Sequence, residues 1–457
     1  PVNVIIGALI IKELFDLSDD DMVENLMLDS RYQYALHTTS FKEQPLSDKS
    51  LSRFRRRCYE YESSHNIDLY HDCITDLSGK IARMMKLDSK IRRMDSMMIE
   101  SNIRILSRME LLYTCVARLV SYLHKNGKDN LLEGLEHYYD PNDFNRVIYH
   151  NRSKDTAKKT ADILKDADIL MERCGSSYDE VTEYQLLVRC LSEQTVVEEA
   201  KRRLKTKEDG DMDSRILQNP SDPDATYREK AGKKHHGYAA NLEETVGENG
   251  TVVTDYQYDQ NIHSDSQFLK EYLSSQKEQE EKVTLITDGA YSGEENQALA
   301  EEKNIDLVTT DLTGRKAPDI YADFEFNDQG ARITRCPVEH TPKSSSYMSS
   351  NKQCRASFDR SLCASCPNKD RCRAKIHKRT AVVMISKGAS ERAKQQRRMQ
   401  TDEFRQLARI RNGVETLPSI LRNRYHVDNM FVRGLKRTKF FFGSKIGALN
   451  FRKLFHS

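Results

Sequence analysis

Apolar residues recur at helical spacing through residues 1–88. Ile5, Leu9, Phe15 and Leu17, then Val23, Leu26 and Met27, fall on shared faces, and Gly and Pro are nearly absent. The opening run Val4 to Ile11 is broken by Lys12 and Glu13, well short of the roughly 20 apolar residues that cross a bilayer, so it predicts a core helix. From Lys90 to Ile99 the pattern predicts a short strand ending near Asp95. Helical spacing returns at Leu106, Leu111, Leu112, Cys115, Val116, Leu119, Val120 and Leu123 and runs to about Leu204. The charged, Pro- and Gly-bearing stretch from Lys205 to Lys234 predicts a linker. Strand signals then cluster at 237–241, 251–258, 283–287 and 305–308, with helical stretches at 264–275 and 293–303 between them. Strand, hairpin, helix, strand, helix, strand is an α/β pattern with a mixed sheet.

Length and charge sharpen this picture. A chain of 457 residues suggests about three domains, and a mean hydropathy of −0.73 favours a soluble, folded protein. There is no basic segment with a cleavage site, so no secretory signal is expected; the sequence opens at Pro1 rather than Met, so its natural start is expected upstream. The net charge of +2 hides a polarised distribution: from Arg371 to Ser457 there are 22 Lys and Arg against five acids. This tail interleaves Arg433, Lys436 and Arg437 with Phe440, Phe441 and Phe442, as suits a surface that neutralises phosphates above a buried apolar face. A second cluster, with Arg53 and Arg56, follows the turn signal Pro45-Leu46-Ser47-Asp48, where Ser47 or Ser50 is placed to cap a helix. Contact with DNA and a solvated helix end fit it equally.

Five of the ten cysteines lie between 336 and 372. Cys363-Ala-Ser-Cys366 followed by Cys372 can present thiolates to one tetrahedral ion, for which Zn²⁺ is the natural occupant. Cys336 is the expected fourth ligand, with Cys354, His340 and His377 as substitutes. The remaining cysteines are scattered, which favours free thiols in a reducing, cytoplasmic setting.

Three acids are candidates for catalysis. Asp95 and Asp288 stand where predicted strands end, and Gly289 lets the backbone approach a ligand closely. Glu415, in Arg411-Asn-Gly-Val-Glu415, is an acid inside the basic tail, expected on a helix with Phe404, Leu407, Ala408 and Val414. A salt bridge is the commoner fate of such an acid. Three carboxylates meeting in one cleft can instead hold two Mg²⁺ ions beside a phosphodiester.

Taken in order, these segments resemble bacterial insertion-sequence transposases of the DDE type. The resemblance rests on Leu17 to Arg57, Met94-Asp95-Ser96-Met97, Asp222-Pro-Asp-Ala-Thr with Gly237-Tyr238, Thr287-Asp288-Gly289-Ala290-Tyr291, Arg411 to Glu415, and Val432-Arg433-Gly434-Leu435 to Asn450. The cysteine-rich insert resembles one branch of that group. The resemblance implies an α/β, RNase H-like mixed-sheet core at 89–102 and 213–330. Around it are implied a helical N-terminal domain at 1–88, a helical insertion at 103–212, a zinc module at 331–378, and a core completion at 379–457. It implies that Asp95, Asp288 and Glu415 hold Mg²⁺ (or Mn²⁺), that Arg411 and Arg422 neutralise phosphate, and that zinc is structural. Ala408 and Arg422 stand where many relatives have Tyr and Lys, and Pro418 is expected to end or kink the helix after Glu415. The implied activity is cleavage of element ends and their joining to target DNA. The partners would be double-stranded DNA and further copies of the chain when bound to it, with no membrane and a bacterial, nucleoid-associated location. A catalytically inactive DNA-binding repressor and a nuclease without joining activity are the alternatives.

Overall fold

The computed structural model describes all residues except 1, 39–45, 48, 88–89, 150–154, 200, 211–212, 231, 312–315 and 328. Pro45 and Asp48 of the predicted turn, and the expected domain boundaries at 88–89 and 212, lie outside the described residues. The chain forms two compact units, the first from Pro1–Asp88, Ser96–Phe268 and Thr416–Ser457, the second from Ser89–Asp95 and Leu269–Glu415.

The first unit opens with α1 (Val2–Phe15), α2 (Asp19–Leu28), α3 (Ser30–Leu36), α4 (Ser50–His65) and α5 (Leu69–Met84). Ser18 and Asp21 form a reciprocal capping box that starts α2, satisfying two amides that have no partner within the helix. At α4 neither predicted serine caps: Lys49 holds the cap position with no side-chain capping bond, and Ser50 is already the helix's first residue. Strand β1 (Ile91–Glu100) runs five residues beyond Asp95, so that aspartate lies mid-strand, not at its end. Helices α6 (Arg108–Lys125), α7 (Thr156–Cys174) and α8 (Thr182–Gln194) pack around Leu112, Val116, Leu119, Leu123, Leu170 and Leu187. The helical pattern stops at Gln194, and a hairpin of β2 (Thr195–Glu198) and β3 (Lys201–Leu204) follows. The predicted linker likewise contains a strand, β4 (Thr226–Lys230), antiparallel to β5 (Lys233–Gly247), which is antiparallel to β6 (Gly250–Gln260). Strand β5 also lies beside β1.

In the second unit the start of β1 pairs in parallel with β7 (Val283–Thr287), through Ile91 opposite Thr284 and Arg93 opposite Ile286. Strand β7 pairs in parallel with β8 (Ile305–Thr309). The mixed pairing expected from the sequence is present. Met94, Leu285, Tyr291 and Leu307 meet Leu269, Tyr272 and Leu273 of α9 (Asp265–Ser275), with Ala300 of α10 (Glu294–Glu302), in one core. After the short strands β9 (Glu325–Phe326) and β10 (Ile333–Arg335) comes a second, antiparallel sheet. It is built from β11 (Ser344–Met348), β12 (Gln353–Asp359), β13 (Lys375–Ile376) and β14 (Thr380–Ile385), in the order β11-β12-β14-β13. The short helices α11 (Arg360–Ala364) and α12 (Lys369–Cys372) carry cysteines, and α13 (Lys387–Arg398) and α14 (Asp402–Asn412) lead toward Glu415.

The chain then returns to the first unit through α15 (Thr416–Tyr425) and α16 (Leu435–Phe455). From Phe440 to Asn450 every residue of α16 is buried, so this part of the basic tail is core and not surface. Lys445 Nζ pairs with Glu13 Oε2 at 2.5 Å, and Lys439 with Asp68 at 2.7 Å. Asn450 is fully buried: its side chain donates to Val253 O (2.7 Å) and accepts from Val253 N (3.0 Å), completing the strand β6 where a neighbouring strand would otherwise do so.

Candidate active site

Asp95, Asp288 and Glu415 reach the same place in the second unit from three distant segments. Strand alternation sends Met94 into the core and Asp95 to the opposite face. Asp288 follows the last residue of β7; its Oδ1 accepts from Ala290 N at 2.8 Å, capping the turn 289–291, which the buried Tyr291 anchors. Glu415 is not on the predicted long helix. α14 ends at Asn412, and Glu415 closes a 3-10 turn, Gly413–Glu415, pinned by buried Val414. Pro418 neither ends nor kinks a helix: it is the third residue of α15, in the first turn, where an amide has no intrahelical acceptor to lose.

The three acids surround the guanidinium of Arg411. Arg411 Nη2 donates to Asp95 Oδ2 at 3.3 Å and stands 3.7 Å from Asp288 Oδ2, while Nη1 donates to Glu415 Oε1 at 2.9 Å. The arginine side chain is only 12% exposed, and Glu415 is the open member at 64%. Arg411 Nε and the hydroxyl of Thr287, one residue before Asp288, are buried without a hydrogen-bond partner among the described residues. One cation thus faces three carboxylates.

Arg93 and Gly413, which the sequence reading did not single out, shape the turn that carries Glu415. The buried Arg93 donates from Nη1 to Ile410 O at 2.6 Å, across the end of α14. A Cβ on Gly413 would lie 2.2 Å from that same nitrogen, so a larger residue there requires the guanidinium to move. Nothing local in the sequence marks this, because Arg93 is one of several polar residues in β1.

Cys336, Cys363, Cys366 and Cys372 line a single cavity of about 20 Å³ together with His340. That is room for one water- or ion-sized guest. Burial, and then the charge of Cys372, Cys336 and Cys366, push the Cys363 thiol up to about 11. Cys354 and His377 do not line the cavity, and the Cys354 thiol donates to Gly330 O at 3.2 Å. Among the described residues no group of three or more His, Cys, Asp or Glu is set to hold a metal ion as it stands. At the acidic site the carboxylates face the Arg411 guanidinium, which lies 2.9–3.7 Å from one oxygen of each.

The basic residues fall into distinct environments. Arg56, Arg433, Lys436 and Arg437 line one cleft of about 810 Å³ in the first unit, with Tyr59 and Ser63. Lys436 donates to Ser63 Oγ (2.7 Å) and Arg433 Nε to Asn102 O (2.7 Å). Arg53 is exposed but outside that cleft. Arg422 is held by the protein, through Asp428 at 3.0 Å and Met98 O at 2.8 Å. Among the described residues no helix is long and apolar enough to cross a membrane.

Comparison with known proteins bears on the C-terminal part of the chain. Residues 335–455 match the family model of a transposase DDE domain. No curated protein and no solved structure matches the chain. The matched segment, similar there to the DDE domain of transposases, contains Arg411, Glu415 and all four clustered cysteines, whereas Asp95 and Asp288 lie outside it.

Proposed function

We propose that the chain is a DNA transposase that cleaves the ends of an insertion element and joins them to target DNA, with Asp95, Asp288 and Glu415 as its metal-holding residues. The observation that carries this reading is the convergence of those three acids on one point from β1, β7 and the turn after α14, in a chain with a transposase DDE domain match. The all-oxygen donor set and its excess of negative charge over Arg411 suit Mg²⁺ or Mn²⁺. Bound there, such an ion would polarise the phosphodiester and activate the attacking water or 3′-OH. The chain's own part is to hold two part-buried carboxylates, one on β1 and one just past the end of β7, and a third, exposed one at the open side. An RNase H-like core is supported by the succession of the β5–β6 hairpin, the central β1, and the parallel β7 and β8. Residues 1–88, 103–212, 331–378 and 379–457 are then the N-terminal domain, the insertion, the zinc module and the core completion.

Cys336, Cys363, Cys366 and Cys372 would hold a structural Zn²⁺, since a four-thiolate site leaves no position for substrate. Arg56, Arg433, Lys436 and Arg437, sharing one cleft, would track a DNA backbone, with Arg53, Arg411 and Arg422 as further phosphate contacts. The test is a Mg²⁺-dependent cleavage and joining assay on DNA carrying the element's ends. The parent is expected to give nicked and joined products and Asp288→Asn neither; binding without cleavage by both would overturn the enzymatic reading, and cleavage without joining would leave a nuclease.

A further inference from the structure

We infer that Arg411 is the resident counter-cation of the acidic site, and that it and a divalent metal take turns on the same carboxylate oxygens. This rests on the reading of Asp95, Asp288 and Glu415 as metal-holding residues. The guanidinium touches one oxygen of each acid: Oδ2 of Asp95, Oδ2 of Asp288 and Oε1 of Glu415. Those are the oxygens that face the shared centre, because Asp288 Oδ1 is already engaged by Ala290 N. A planar fork with donors on two nitrogens spans such a cluster: it hydrogen-bonds Asp95 and Glu415 and stands within ion-pair range of Asp288 at 3.7 Å, where a metal would draw the oxygens together.

The charge balance makes the occupancy exchangeable. Without Arg411 three carboxylates would face one another in a part-buried site, which is costly. With it, one positive charge offsets three negative ones, so a divalent ion still gains by entering. The buried Arg411 Nε has no acceptor among the described residues, so the side chain is not locked in place at its base. Once displaced, a guanidinium needs another anion, and a phosphodiester is the partner its geometry matches. Metal entry would thereby free Arg411 for DNA, so that the phosphate-binding form of the arginine appears only when the site is loaded.

The test is Mn²⁺ binding to the full chain without DNA, read by the electron paramagnetic resonance signal of free Mn²⁺, for the parent, Arg411→Gln, Arg411→Lys and Asp288→Asn. Arg411→Gln is expected to bind Mn²⁺ about tenfold more tightly or better, tenfold being the effect of about 1.4 kcal/mol of lost competition. Arg411→Lys, which keeps the charge but not the fork, should fall between. Equal or weaker binding by Arg411→Gln would overturn the exchange while Asp288→Asn, by losing the ion, upheld the metal site. Undiminished binding by Asp288→Asn would overturn the metal site and the exchange with it. A readout on the unaltered protein is modification by phenylglyoxal followed by peptide mass spectrometry. Arg411 should be protected in chelator and react several-fold faster with Mn²⁺ present; protection unchanged by Mn²⁺ would refute the exchange even if Arg411→Gln did not fold.

Discussion

Replacing Gly413 with Ala should destabilise the protein, although the backbone there is helical (φ −62°, ψ −20°) and alanine at such a position ordinarily stabilises by about 0.5–1 kcal/mol. The added Cβ would lie 2.2 Å from Arg93 Nη1 and 3.2 Å from its Cζ. Ordinary contacts between such atoms sit at about 3.5–4.0 Å, so the guanidinium must retreat by more than about 1 Å. That retreat breaks its 2.6 Å bond to Ile410 O. A hydrogen bond to a charged group contributes about 1.5–3 kcal/mol, so after the helix gain the net loss is about 0.5–2.5 kcal/mol. In a unit of this size that lowers the calorimetric midpoint by about 1–10 °C. Cleavage should fall as well, since Glu415 closes the turn that Gly413 opens. In an Arg93→Ala background the same glycine substitution should regain its ordinary stabilising sign. A raised midpoint for Gly413→Ala in the parent would refute the reasoning.

Three further outcomes are expected. Asn450→Leu removes the side-chain partners of both Val253 N and Val253 O, and a bond to Ser78, and should cost about 2–4 kcal/mol; urea unfolding measures it, and a loss below about 1 kcal/mol would contradict the packing described. Burial opposes protonation of His71, but the Asp255 carboxylate at 3.0 Å outweighs it and raises the imidazole above its ordinary value. The stability it contributes is therefore full below about pH 6.5 and lost as pH rises through the raised value, so the gap in midpoint between the parent and His71→Gln should shrink from pH 6 to pH 9, and a constant gap would refute the assignment. The purified chain should carry about one zinc per copy, lost in Cys363→Ser with a lowered midpoint; a zinc-free, equally stable parent would remove the metal from the account.

Periodicity revealed the elements whose stability is local. The stripe from Leu111 to Leu123 is buried as its spacing requires, and the strand signals at 251–258, 283–287 and 305–308 lie in strands. What it missed was fixed by distant partners. Strand β1 continues to Glu100 because its second half pairs on beyond Asp95, and no local residue marks that continuation. The helix before Glu415 breaks at Gly413 beneath Arg93, over three hundred residues away in sequence. The basic tail read as surface because Lys439 and Lys445 look solvated until Asp68 and Glu13 are folded against them. The three acids themselves were legible from their residue types and from resemblance, whereas the position of Arg411 between them was visible only in the fold.

The central claim is that Asp95, Asp288 and Glu415 act together on DNA. It is tested most directly by single-turnover cleavage of end-bearing DNA in Mg²⁺ by Asp95→Asn, Asp288→Asn and Glu415→Gln, with DNA binding measured alongside. Each variant should bind DNA as the parent does and cleave at least about 10³-fold more slowly, the scale of losing an electrostatic group that acts on the transition state. Parent-like cleavage by any one of the three would contradict the account.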